Sequence, residues 1–332
     1  MDPSATFLSC DWGTSSFRLR LVERDTLNIL AEESSKEGNA ATAERWQQAG
    51  QPPEQRVGFY RAIIQEHLLK LEATVKASLD EVPVVVSGMA SSTVGMLELP
   101  YKPLPFAADG SDLKTETIAP TADFRHTTLL ISGVKSADDV MRGEETQLVG
   151  CQFEDSADEQ LFLHPGTHAK HVVVQRGQAV SLKTYMTGEF FSLLSTKGIL
   201  AASVEEGGQL EEGNNRAWFD KGVRASQPAN LLHNAFLTRT NDLFKKASKR
   251  ENYFYLSGLL IGSECHDLLL TKLPARITLA GEPVLVALYG AALAGLGIAA
   301  RCPVQTKTAV EVTLHGQAAV FRHHRAATPQ QR

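Results

Sequence analysis

The 332-residue chain is 43% hydrophobic and 21% charged with a formal net charge of −5, a balance that suits a soluble globular enzyme of one large or two medium domains. No basic block precedes the polar tail, which argues against a nucleic-acid groove. Cys10, Cys151, Cys265 and Cys302 are scattered with no CxxC pair, so neither a disulfide framework nor a zinc knuckle is suggested, and a reduced, cytoplasmic setting is the simplest expectation. The N-terminus shows no basic segment followed by a long apolar one, so no signal peptide is read. The apolar stretch 284–300 is shorter than a typical span and holds Gly290, Gly295 and Gly297; it reads as a buried helix, leaving no membrane partner.

Residues 6–35 read as three short strands. In the second, Phe17, Leu19 and Leu21 alternate with Arg18, Arg20 and Val22, the pattern of a half-buried strand. Between the first two lies a tight small-residue turn, Asp11-Trp12-Gly13-Thr14-Ser15-Ser16. Tyr60, Ile63, Ile64, Leu68, Leu71, Val75 and Leu79 share one helical face and predict a helix over 57–79. A buried strand at 82–87 runs into the small-residue segment 88–95, read as a loop over a site. Another strand is expected at 129–132. A helix is predicted from Ser136, as N-cap, onwards through Met141-Arg142-Gly143-Glu144-Glu145-Thr146-Gln147.

After an acidic connection at 154–160 the pattern repeats. Strands are predicted at 161–164, 169–175 and 178–184, with His164-Pro165-Gly166-Thr167-His168 as the first turn and Arg176-Gly177 as the second. Helices are predicted at 188–196, 230–248 and 253–269. Residues 205–227, rich in Gly, Asn and Glu, read as a lid-like loop or a solvated linker. A strand at 276–280 leads into Gly281-Glu282-Pro283 and the apolar helix. From about His323 the chain is polar and expected to be disordered. Two copies of three strands, each followed by helices, suggest two α/β lobes with a cleft between them and a boundary within 133–160. The lobes are taken as 1–140 and 141–325, with 326–332 as a tail.

A Gly-Thr turn thus closes the matching hairpin of each copy. Such turns present N–H groups and hydroxyls to an anion. Gly13, Thr14 and Ser15 are candidates for one phosphate; Gly166, Thr167 and His168 are candidates for another, with Lys170 as a charge. A phosphate hairpin used twice points to a nucleotide-dependent phosphotransferase built by duplication. No GxxxxGK[ST] cradle and no protein-kinase motif set is present. Asp11 stands at the end of the first strand, where a carboxylate holds Mg²⁺ directly or through water, or simply caps the turn. The His164, His168 and His171 cluster is a poor zinc site, because Pro165-Gly166 breaks any helix that would set two of them on one face. The acceptor hydroxyl needs a base. The adjacent Glu144 and Glu145 are candidates, and a solvated helix face is the plain alternative.

Together these segments resemble the sugar kinases of the acetate kinase, hexokinase and actin superfamily, which implies an α/β fold of two duplicated lobes of actin-like, ribonuclease H-like ATPase type with an interlobe cleft. The first phosphate motif is similar to Asp11-Trp12-Gly13-Thr14, the second to Pro165-Gly166-Thr167-His168, and the adenosine motif to Leu279-Ala280-Gly281-Glu282. CDWGTSSFRLRL, VSGMASSTVG, VMRGEETQLVG, HPGTHAKHV, TYMTGEFFSLL and YLSGLLIGSE, from residue 10 to about 264, resemble the 2-dehydro-3-deoxygalactonokinase family more closely. That resemblance implies ATP-dependent phosphorylation, with Mg²⁺, of the 6-hydroxyl of 2-dehydro-3-deoxy-D-galactonate in galactonate degradation. It also favours Glu144, because Gly143-Glu144-Glu145-Thr146 stands where the GDQQ segment of related kinases supplies a catalytic Asp. Glu145 stays open. Gly281 and Glu282 are the expected nucleotide contacts. Arg18, Arg142 and Lys102 are candidates for the substrate carboxylate, and Ser87, Met89, Ser91 and Ser92 for the sugar-acid site. The alternatives are a kinase for another 2-keto-3-deoxy acid, such as the gluconate epimer, and a non-catalytic sensor on the same fold. A homodimer is expected from enzyme base rates.

Overall fold

The computed structural model describes residues 3–227 and 230–327. By contact the chain forms two compact units. The first holds the residues up to Asp155, Gly177–Leu182 and those from Ala309 on; the second holds Ser156–Arg176 and Lys183–Thr308.

The first unit opens on an antiparallel meander, β1 (Thr6–Trp12), β2 (Phe17–Glu23) and β3 (Ile29–Ser35), followed by α1 (Asn39–Ala49) and α2 (Arg56–Val75). Strand β4 (Val84–Gly88) then pairs in parallel with β1. Short strands follow: β5 (Lys102–Pro103), β6 (Phe106–Ala107), β7 (Thr115–Ile118), β8 (Thr128–Ile131), β9 (Val134–Lys135) and β10 (Val140–Met141), before helix α3 (Glu144–Gly150). The main sheet runs β3-β2-β1-β4-β8-β7, with β8 parallel to β4. Leu8, Cys10, Trp12, Phe17 and Leu19 bury one face of it against Tyr60, Ile64 and Leu68 of α2, the apolar stripe read from the sequence. Strand β2 is not half-buried. Arg20 on its other face is only 2% exposed and pairs with Glu32 across the strand register at 2.7 Å.

In the second unit β11 (Gln160–His164) and β12 (Ala169–Gln175) form an antiparallel hairpin. Arg176 and Gly177 both take positive φ, 52° and 66°, the backbone of a two-residue primed turn, and lead into β13 (Gln178–Tyr185), whose residues up to Leu182 group with the first unit. Helices α4 (Thr187–Thr196), α5 (Asn215–Ala225), α6 (Leu231–Leu243) and α7 (Lys249–His266) precede β14 (Arg276–Gly281), α8 (Pro283–Gly295) and β15 (Val304–Thr308). β14 is parallel to β11 and β15 to β14. The order and directions of β12-β11-β14-β15 therefore repeat those of β2-β1-β4-β8. The duplicated ribonuclease H-like topology that the family resemblance implies is the observed one.

The final helix, α9 (Ala309–Ala327), belongs to the first unit. Its Phe321 stacks on Phe7 at 6.3 Å, on the sheet face opposite α2. α9 also packs against α3 at glycine distance. A Cβ on Gly150 would strike the Val312 carbonyl, and one on Gly316 the Thr146 carbonyl.

Four further sequence readings need correction. The chain from His323 to Ala327 is helical, held where His324 meets Thr115 and Thr117 at 3.2 and 2.8 Å; residues 328–332 lie outside the described residues. Residues 141–155 pack with the first unit through the α3–α9 contact, away from a division at 140/141. Ser136 caps a turn, accepting the Asp138 N–H at 3.2 Å, and the helix starts only at Glu144, after β10. The segment 205–227 is partly helical. One of its glycines, Gly222, lets α5 lie directly on α7, where a Cβ would meet the Tyr255 carbonyl.

Candidate active site

In the first unit the Gly-Thr turn is fixed from behind. The Gly13 N–H donates to the Ser16 carbonyl at 2.9 Å, closing the hairpin. The first N–H groups of α1, from Asn39 and Ala40, donate to the Gly13 and Thr14 carbonyls at 2.9 and 3.0 Å. With its carbonyls so occupied, the turn leaves Thr14 and Ser15 exposed. Asp11 and Arg18 face each other across β1 and β2, carboxylate and guanidinium 3.6 Å apart and both partly exposed. Arg18 thus lies beside the proposed metal carboxylate.

The segment 140–145 lies against the end of β4. Gly143 approaches Gly88, and the side chains around it are held in sequence. The Arg142 N–H donates to Glu144 Oε2 at 3.0 Å, and the Gly143 N–H to Glu145 Oε2 at 2.7 Å. The Thr146 hydroxyl donates to Glu145 Oε1 at 3.1 Å. The two acids differ in access. Glu144 is partly exposed at the first position of α3, while Glu145 is fully buried. Burial, reinforced by the neighbouring Glu144 charge, pushes the Glu145 carboxyl up to about 7. The Arg142 guanidinium is also fixed. Its Nη1 donates to the carbonyl and hydroxyl of Ser91, each at 2.6 Å, and its Cζ lies over the Tyr101 ring, 4.2 Å from the centroid.

Of the other residues read as sugar-acid contacts, Met89 is partly exposed, and Ser92 is buried in the same loop. Ser87 is buried and accepts a hydrogen bond from Gln317 at 2.9 Å. The same Gln317 amide donates to the Cys10 carbonyl at 3.0 Å, tying β1 to β4 just before Asp11 and Gly88. Ser87 is therefore a scaffold group. Lys102 is paired with Asp112 at 2.7 Å. Gln317 and Tyr101 escaped the sequence reading; neither has a local signal, since each meets its partners only through the fold.

In the second unit the matching turn is held differently. His164 faces Lys170 in register, where Asp11 faces Arg18 in the first copy. Lys170, read as a phosphate charge, is only 4% exposed, and its ammonium donates to the His168 carbonyl at 2.8 Å, bracing the turn from below. His168 is exposed and pairs with Glu189 at 2.6 Å. The start of α4 is joined to the turn, the Glu189 N–H donating to the Thr167 carbonyl at 3.0 Å. Gly281 lies against Pro165, 3.3 Å from where its Cβ would be, so the end of β14 and the Gly-Thr turn are neighbours. Glu282 is exposed at the start of α8, with Pro283 at the first helical position.

Beside these two segments opens a cavity of about 730 Å³, lined by Gly166 and Thr167, by Thr187 and Gly188 of α4, by residues 206–211, and by α7 and α8. Its wall is mostly apolar, including Phe191, Leu210, Tyr253, Leu260 and Leu288, with few polar groups at the turn end. That size and make-up suit a nucleoside. No group of three or more potential metal ligands occurs among the described residues. Asp11, a partly exposed carboxylate, could hold a metal ion together with phosphate and water oxygens, the donor set that Mg²⁺ prefers. No helix among the described residues is long and apolar enough to cross a membrane.

Two ribonuclease H-like sheets, each ending in a Gly-Thr hairpin, give the chain the duplicated actin-like ATPase fold, and its likeness to known proteins makes it a sugar-acid kinase, a phosphotransferase. The family model for 2-keto-3-deoxy-galactonokinase matches residues 11–317. The chain belongs to that family. It is 31% identical over 307 residues to a probable 2-dehydro-3-deoxygalactonokinase of Rhizobium meliloti (strain 1021), covering 91% of this chain and 93% of the relative. It is 29% identical over 268 residues to the 2-dehydro-3-deoxygalactonokinase of Escherichia coli (strain K12), covering 79% and 80%. A Sinorhizobium meliloti crystal structure named for the same activity superposes with a TM-score of 0.78 at 28% identity, over 98% of each chain.

Proposed function

We propose that the protein transfers the γ-phosphoryl group of ATP, with Mg²⁺, to the 6-hydroxyl of 2-dehydro-3-deoxy-D-galactonate, a step in galactonate degradation. The observation that carries this reading is Glu144: a partly exposed carboxylate at the start of α3, oriented by the Arg142 N–H, in a chain of this family. Glu144 accepts the proton of the acceptor hydroxyl. Glu145 is buried away from any acceptor and instead holds the Gly143 N–H, so its role is to set the loop. Arg142, pre-oriented by Ser91 and Tyr101, binds the carboxylate of the sugar acid, and Met89 and Ser92 flank it from the 88–95 loop.

In the second unit the cavity takes the nucleoside, and Gly166, Thr167 and His168 meet its phosphates. Thr14 and Ser15 supply phosphate donors in the first unit. Asp11 holds the magnesium ion, whose charge offsets that of the phosphate oxygens. A coupled ADP-release assay against a panel of 2-keto-3-deoxy acids tests the reading. The expected result is the highest kcat/KM on the galactonate compound. A higher value on the gluconate epimer would reassign the substrate, and no turnover of any acid would favour a sensor.

A further inference from the structure

Outside the groups used so far, the second unit buries a carboxylate. Glu264 of α7 has a side chain only 1% exposed. Its Oε1 accepts from His171 Nε2 of β12 at 2.8 Å. Its Oε2 accepts from the Tyr289 hydroxyl of α8 at 2.6 Å and from the Thr187 hydroxyl at the first position of α4. One carboxylate therefore joins four elements. Two of its three donors, Thr187 and Tyr289, line the 730 Å³ cavity.

Burying a carboxylate costs several kcal/mol, and apolar side chains of equal volume often serve stability as well or better. A stability role therefore explains the group poorly. A geometric role explains its contacts. Thr187 starts the helix turn that meets the Gly-Thr hairpin: Gly188 abuts the Gly166 carbonyl, and the Glu189 N–H bonds the Thr167 carbonyl at 3.0 Å. Tyr289 belongs to α8, which also lines the cavity. Glu264 thus sets the spacing between the phosphate hairpin and the nucleoside wall.

We propose that Glu264 is a positioning residue for nucleotide binding, acting through Thr187 and Tyr289 without touching the ligand; this rests on the assignment of the cavity to the nucleotide. Gln in its place keeps the volume, an oxygen for Thr187 and Tyr289, and a polar partner for His171.

The test is steady-state kinetics with ATP and the sugar acid varied separately, on wild type, Glu264→Ala, Glu264→Gln and Tyr289→Phe. Glu264→Ala should raise KM for ATP about tenfold or more, with KM for the sugar acid within about twofold. Glu264→Gln should restore KM for ATP to within about threefold of wild type. Tyr289→Phe, which removes one hydroxyl and little volume, should raise KM for ATP severalfold and keeps the test decisive if the Ala variant does not fold. An active wild type whose KM for ATP is unchanged in Tyr289→Phe and in any folded Glu264→Ala would overturn the proposal alone. Equal rises in both KM values would do the same. A wild type with no ATP-dependent turnover and no ATP binding by calorimetry would remove the nucleotide assignment, and the proposal with it.

Discussion

Gly143 and Gly88 meet backbone to backbone: a Cβ on Gly143 would stand 3.2 Å from the Gly88 Cα. Both residues have positive φ, 110° and 93°, which side chains other than glycine rarely tolerate. Gly88 in turn lies against Trp12, whose carbonyl would be 2.5 Å from an added Cβ. The end of β1, the end of β4 and the loop before Glu144 are thereby stacked with no side chain between them.

Gly143→Ala should therefore misplace the loop. The backbone conformation alone costs about 2 kcal/mol, and a shift of the proposed base by about 1 Å costs up to roughly 100-fold in rate. Thermal unfolding and kcat measured together check this; a variant with wild-type kcat would refute the stacking argument.

Glu144→Gln should lower kcat by roughly 10²–10⁴-fold, the range of a lost general base. Glu145→Gln keeps an oxygen for the Gly143 N–H and should lose less than about tenfold. Reversed magnitudes would exchange the two roles.

Glu145 also makes a prediction about stability and pH. Its carboxyl is raised from 4.5 to about 7 in the folded protein. Between those values the folded state holds a proton that the unfolded chain has released, so stability falls as pH rises through this window. The loss is on the order of 3 kcal/mol, complete above pH 7. Denaturant titrations across the window should show the slope in wild type and a flatter profile in Glu145→Gln. Equal profiles would mean that Glu145 ionises normally.

Asp11→Asn should raise the Mg²⁺ concentration needed for half-maximal velocity by about tenfold or more while leaving the melting temperature near wild type. An unchanged Mg²⁺ titration would release Asp11 from the metal role.

The repeated hairpins were legible because they are local. An apolar run before each of Gly13-Thr14 and Gly166-Thr167, and an alternating one after it, specify strand, turn and strand without reference to the rest of the chain. The α2 stripe was legible for the same reason. The pairing of α3 with α9 was not, because Gly150 and Gly316 are ordinary until brought into contact. Nor was the separation of Glu144 from Glu145, since adjacent acids look alike until one is buried. Glu264 did leave a trace: it is the lone acid in the apolar run from Tyr253 to Cys265.

The return of α9 to the first unit has a consequence for biosynthesis. Gln317, which ties β1 to β4 beside Asp11, is translated only after every residue of the second unit. On the ribosome, β1 and β4 must wait unbraced through most of elongation. The half of the enzyme that is begun first is thus completed last.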